Sequence, residues 1–119
     1  MVTEREILNQ WNSVVEKSKE KARRMINKLV AIDQSTSVAV GKLISVEIDR
    51  LGYLKYPYVK LMLHKPIRYR QDGKMQFKMG DQELVFINKP EMVMDTNELA
   101  SKFPKIYEQI LTKIKTGVW

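Results

Sequence analysis

In Val38-Ala39-Val40-Gly41-Lys42-Leu43-Ile44-Ser45-Val46-Glu47-Ile48 the period of hydrophobicity becomes two, the signature of a strand with one buried face. Val38, Val40, Ile44, Val46 and Ile48 share a phase, and Lys42 falls out of it just after Gly41. A bulge at that glycine restores the phase. The same period runs on to Met94, so the middle of the chain reads as sheet.

Downstream, Leu51 to Pro57 is a tyrosine-rich connection holding Tyr53 and Tyr56. A second strand then sets Val59, Leu61 and Leu63 on one face and Tyr58, Lys60, Met62 and His64 on the other, until Pro66 limits the ladder. In the segment Ile67 to Phe77 the turn signal is Asp72-Gly73. A two-residue loop there mixes apolar and basic side chains. A three-residue loop, with Gly73 in the left-handed position, pairs Arg70 with Lys74, Tyr69 with Met75, Arg68 with Gln76 and Ile67 with Phe77, and sorts them. Gly80-Asp81 predicts a second tight turn that sets Lys78 against Glu83, Phe77 against Leu84 and Met75 against Phe86. Asn88-Lys89-Pro90 breaks the sheet, and Met92-Val93-Met94 reads as a last short strand.

Upstream, the first 32 residues read as one amphipathic helix. Thr3 and Glu6 have capping-box spacing. Leu8, Trp11, Val15, Ala22, Met25 and Leu29 recur in a 3,4 rhythm that Ser18 completes, and no Gly or Pro interrupts them. The polar run Asp33 to Ser37 ends the helix. At the other end, Asp95 and Glu98 box a second helix carrying Leu99, Phe103, Ile106, Ile110 and Ile114 inward, with Gly117 as its stop. Pro104 either kinks that helix or lies in its first turn behind an N-cap at Ser101. The expected fold is a single α+β domain over residues 1–119. It has a long N-terminal helix, a four- to five-stranded antiparallel meander and a C-terminal helix, with the helices packed on one sheet face. The opposite face is left solvated, covered or used.

The 119 residues allow one domain, and a hydrophobic fraction of 44% is that of a globular chain. The absence of cysteine removes disulfides, thiolate metal sites and cysteine nucleophiles, and one histidine is too few for a zinc centre. No apolar run approaches a membrane span and no signal-peptide core is present, so a cytoplasmic protein without a membrane partner is expected. No phosphate-binding, dinucleotide-binding, zinc-protease or serine-hydrolase motif occurs. Glu47 and Asp49 could share a strand face as a metal pair, but no third carboxylate accompanies them and they read as a solvated strand end. His64 has no assigned catalytic partner. A non-enzymatic, cofactor-free protein is expected.

Charge is the informative feature. With 21 Lys+Arg against 14 Asp+Glu the net charge is +7 and the isoelectric point about 9.6. Lys55, Lys60, Lys65, Arg68, Arg70, Lys74 and Lys78 face one acid, Asp72, within 24 residues. In the registers above, Arg68, Arg70, Lys74 and Lys78 project from the face opposite Ile67, Met75 and Phe77, and Lys60, His64 and Tyr58 join them. Cations that neutralise phosphates beside rings that stack, such as Tyr53, Tyr56 or Tyr58, suit a flexible single strand. Lys17, Lys21, Arg24 and Lys28 form a stripe about 60° wide on the first helix that could extend this track. No helix-turn-helix spacing occurs, which favours single-stranded DNA or RNA over duplex. The alternative is a protein-interaction module, such as a small viral or plasmid-encoded regulator covering an acidic partner surface.

A basic sheet between Thr3–Ile32 and Asp95–Lys115 resembles, in element order, the small single-stranded-DNA-binding proteins of archaea and their viruses, including the ThermoDBP kind. The resemblance implies a cofactor-free binder, often dimeric, that grips a strand with basic and aromatic side chains. It carries over no individual residues, and the chain lacks a C-terminal leucine zipper. A homodimer is expected independently, because an open face or edge in a small chain is commonly closed by a two-fold partner.

Overall fold

The computed structural model describes residues 2–49 and 56–119. The capping box forms as anticipated: the Thr3 hydroxyl accepts the Glu6 N–H at 3.2 Å, and the Glu6 carboxylate accepts the Thr3 N–H. Helix α1 (Glu4–Arg23) follows and buries Val15, Ser18 and Ala22. The Ser18 hydroxyl donates to the Val14 carbonyl at 2.8 Å, so its burial leaves no unpaired donor.

The helix does not reach Ile32. It ends at Arg23, and Leu29–Asp33 is a strand, β1. Asn27 turns the chain with a left-handed φ of 70°, a conformation asparagine tolerates better than most residues. Its N–H donates to the Leu43 carbonyl at 2.7 Å. Leu29-Val30-Ala31-Ile32 is apolar without interruption, and a strand between two layers buries Val30 and Ile32 on one side and Ala31 on the other. The polar run that was to end the helix is a hairpin turn, with the Gln34 N–H on the Ser37 carbonyl at 2.9 Å.

Strand β2 (Val38–Asp49) pairs antiparallel with β1, and β3 (Tyr58–Tyr69) pairs antiparallel with β2. Val40 lies opposite Ile67 but Lys42 opposite His64, so the extra residue belongs to β3 at Lys65-Pro66, where Lys65 takes φ 49°. Gly41 stands against this bulge, and a Cβ there would lie 3.1 Å from the Pro66 Cα. The bulge read at Gly41 is thus on its partner strand, and the glycine permits the approach. Beyond it Leu43 faces Leu63 while Ser45 faces Met62, which leaves Ile44 as a second extra residue. Leu43 and Val46 therefore enter the core and Ile44 is exposed.

The Asp72-Gly73 loop has the expected form, with Gly73 at φ 91°, the Arg70 N–H on the Lys74 carbonyl, and Tyr69 opposite Met75. Strand β4 (Met75–Lys78) then bulges at Gln76, so Phe77 faces Arg68 and Lys78 faces Ile67. The hairpin expected at Gly80-Asp81 does not form. Strand β5 (Gln82–Ile87) continues in line with β4 along the same edge of β3, pairing residues 82–87 with 64–59. The in-line arrangement wins because it buries Val85 and Ile87 beside Leu61 and Val59, which a short hairpin projecting from the sheet could not do.

A 3₁₀ turn (Pro90–Met92) leads to β6 (Val93–Met94) on the free side of β1, completing a six-stranded antiparallel sheet. Asp95 and Glu98 form the second capping box at the start of α2 (Thr96–Lys102). Pro104 begins a new helix, α3 (Pro104–Lys115), whose N-cap is Phe103 rather than Ser101. Of the residues expected inward, Leu99, Ile106 and Ile110 are buried, but Ile114 is 45% exposed.

The α+β class and the antiparallel sheet stand, but the helices do not share a face. Val15, Ala22 and Met25 pack with Val30, Ile32, Leu43, Leu61 and Leu63, whereas Leu99, Ile106 and Ile110 pack with Ala31, Val38, Val40, Ile67 and Tyr69. Successive strand residues point to opposite faces, so α1 covers one side and α2–α3 the other. The sheet carries apolar residues in both phases near β1, and a single layer would leave one set in water.

Candidate nucleic-acid interface

Strand β3 keeps the alternation read from its sequence. Val59, Leu61 and Leu63 are buried beneath α1, and Tyr58, Lys60, Met62 and His64 lie on the other face. On that face α2–α3 pack over Val38, Val40, Ile67 and Tyr69, at the far end of the strands. Among the described residues no helix packs over the half carried by Lys60 to His64, and cross-strand pairing completes it. Lys42 sits opposite His64 and Glu47 opposite Lys60. On the other flank Gln82, Leu84 and Phe86 sit opposite His64, Met62 and Lys60. Leu84 is 44% and Phe86 42% exposed. The result is a sheet surface with Lys42, Lys60 and His64 beside Met62, Leu84 and Phe86.

The Lys60 ammonium lies 3.3 Å from the Glu47 carboxylate, and both side chains are solvated. An ion pair of that kind is worth at most about 1 kcal/mol. Lys78 extends the surface past the bulge. It shares the face of Ile67 and, with exposed Lys65, lines a groove closed by Gly117 and Val118. A second groove joins Lys42 to Ile114 and Trp119. The Trp119 indole N–H donates to the Lys65 carbonyl at 2.8 Å, seating the segment after α3 on the bulge between the two grooves.

Lys55 lies outside the described residues, and the other expected cations do not join this surface. The phase change at Lys65-Pro66 turns Arg68 to the α1 side, where its guanidinium donates to Gln34 Oε1 at 2.6 Å and to the Ser37 hydroxyl. Arg70 pairs with Asp72 at 3.0 Å, and exposed Lys74 follows at the loop tip. A single track through Arg68, Arg70, Lys74 and Lys78 is therefore corrected: the bulge at Gln76 places Arg68 and Lys78 on opposite faces, and the bulge at Lys65-Pro66 separates Arg68 from Lys60 and His64. The helical stripe is also broken. Lys17 is exposed, but Lys21 donates to Glu98 at 2.8 Å and to the Pro90 carbonyl. Arg24 and Lys28 lie beyond the end of α1, which itself covers the face opposite Lys60 and His64.

Among the tyrosines, Tyr53 lies outside the described residues. Tyr56 and Tyr58 are half-buried against Trp11, with ring centroids 5.1 and 5.4 Å away. The Trp11 indole donates to the Pro57 carbonyl. Tyr58 shares the strand phase of Lys60 and His64, but at the strand's end its ring, like that of Tyr56, turns to Trp11 of α1, so neither ring joins the surface. Sequence reading missed Phe86, Leu84 and Lys42 as surface groups. In Gln82-Glu83-Leu84-Val85-Phe86-Ile87 both phases are apolar at their centre, so no periodicity marks the exposed one. For Lys42 the signal was present as a charge at an alternate position otherwise filled by Val38, Val40 and Ile44.

Among the described residues no three His, Asp or Glu side chains converge as a metal site, and no helix is long and apolar enough to cross a membrane. No protein-family profile, curated protein or solved structure matches this chain.

Proposed function

We propose that this protein binds single-stranded nucleic acid, without catalysis, on the half of its sheet that carries Lys60 and His64. The observation that carries the reading is one face holding Lys42, Lys60 and His64 next to half-exposed Phe86, with Lys78 at its margin. Lysines supply sequence-independent attraction for phosphates. An exposed ring set among them offers a base a stacking platform, worth about 1–3 kcal/mol per base. A sheet surface also accepts an unstacked strand more readily than a duplex, whose bases are turned inward.

Titration of a labelled oligonucleotide at several salt concentrations tests this. Three to four phosphate contacts give a log–log slope of roughly −2 to −3, from about 0.7 counterions released per contact on a single strand. Lys42→Ala with Lys60→Ala should flatten that slope by about one to two units, and Phe86→Ala should weaken binding with little change in slope. Absence of binding at low salt, or a slope near zero, would sink the proposal.

A further inference from the structure

The two edges of the sheet are managed differently. On one side β6 is two residues long, and the chain passes directly from it into α2. On the other, β5 pairs with β3 along its inner edge, and no further strand among the described residues pairs with its outer edge. Gln82–Ile87 contains neither proline nor lysine, the residues that natural edge strands use to discourage pairing. Its exposed phase carries Leu84 and Phe86. Glu83 is the only charge in this strand, and an edge this apolar is a template for pairing with another strand.

We infer that the partner is a second copy of this chain, joined through antiparallel β5–β5 pairing about a two-fold axis at Val85. In antiparallel edge pairing the axis is perpendicular to the sheet, so each face meets its like and residues of equal phase stand opposite one another. Centring the axis on Val85 sets Leu84 of each copy against Phe86 of the other. The two open faces then share a four-residue apolar cluster. The same register brings Asp81 opposite the partner's Lys89, with Glu83 on the diagonal. Asp81 and Lys89 are both exposed, and Lys89 keeps an extended backbone (φ −139°, ψ 143°), as continued pairing needs. Centring on Leu84 instead sets Glu83 against Val85 and Gln82 against Phe86, which separates the apolar groups. The strand is thus complementary to itself in both apolarity and charge, and this singles out a second copy over an unrelated strand.

The inference does not depend on nucleic-acid binding, and its test is run without oligonucleotide. Light scattering at increasing concentration should return twice the 14.0 kDa chain mass, and Phe86→Lys should return the single-chain mass. Because Phe86 is exposed, the variant's circular-dichroism melt should stay two-state. Asp81→Lys and Lys89→Glu should each weaken association, and their combination should restore it, since the swap rebuilds the same pairs with reversed sign. The cysteine-free background allows a further readout: Leu84→Cys with Phe86→Cys should form an intermolecular disulfide on oxidation. A wild-type protein that stays monomeric at all concentrations overturns the inference. So does a dimer indifferent to Phe86→Lys, or a charge swap that fails to restore association.

Discussion

The Arg68 guanidinium carbon lies 5.8 Å from the centre of the Phe77 ring, on the α1 side of the sheet. Residues read as occupying opposite faces therefore touch, because Gln76 is the extra residue between the Tyr69–Met75 and Arg68–Phe77 pairs. Arg68 also ties β3 to the β1–β2 turn through Gln34 and Ser37. Arg68→Ala should consequently cost about 1.5–3 kcal/mol, the range for hydrogen bonds to charged groups. Phe77, 52% exposed, should cost under about 1.5 kcal/mol when cut to alanine. Urea denaturation of the two variants checks the order, and a larger loss for Phe77→Ala would contradict it.

Tyr69 is 1% exposed, and its hydroxyl finds no hydrogen-bond partner within the described residues. Burial disfavours the phenolate and pushes the group from 10.0 up to about 12. Between those values the unfolded chain has released the proton while the folded one retains it, so stability should fall as pH rises above 10. Tyr69→Phe should remove that alkaline loss and leave stability at neutral pH unchanged or raised, because an unpaired buried hydroxyl disappears. Thermal melts at neutral and alkaline pH measure both effects.

Burial raises the affinity of Asp33 for its proton. The hydrogen bond from Lys102, the Ser35 N–H and the Lys102 charge together outweigh it and hold the carboxyl below its ordinary 3.8. A depressed carboxyl stabilises the fold above its unfolded value, and that contribution is lost as pH falls through the folded one. Lys102→Ala should therefore weaken the protein at neutral pH and shrink the loss seen below about pH 4. An unchanged acid limb in Lys102→Ala would remove the Asp33–Lys102 pair from the account.

Gly73 combines a φ of 91° with close approach to α3, where an added Cβ would lie 2.9 Å from the Lys105 carbonyl oxygen. Gly73→Ala should cost more than the roughly 1–2 kcal/mol of a left-handed alanine. Gly73→Asn relieves the backbone cost but not the contact, and should remain destabilised. Chemical denaturation of the pair separates the two causes.

Features set by a few neighbouring residues were legible in the sequence. Both capping boxes, the Gly73 loop and the alternation of Tyr58 to His64 involve local choices, and each is observed. What escaped depended on partners distant in the chain. Leu29 to Ile32 continues the rhythm of the preceding helix, and only a sheet with two covered faces makes a strand the better use of it. Pairing Phe77 with Leu84 is locally consistent but yields to the longer ladder that β3 offers β5. The candidate interface was half legible for the same reason. Lys60 and His64 follow from period two, whereas Phe86 depends on which strand β5 joins.

Alternate residues of β1 belong to two separate cores, Val30 and Ile32 to one and Ala31 to the other. A slip of this strand by one position would exchange the two sets and strip both layers at once. Unfolding of either layer is thereby coupled to the other through a backbone they share rather than through side chains in common. Native-state hydrogen exchange should show the amides of β1 and β2 opening only in the global transition, with α1 and α3 belonging to one cooperative unit despite lying on opposite sides of the sheet.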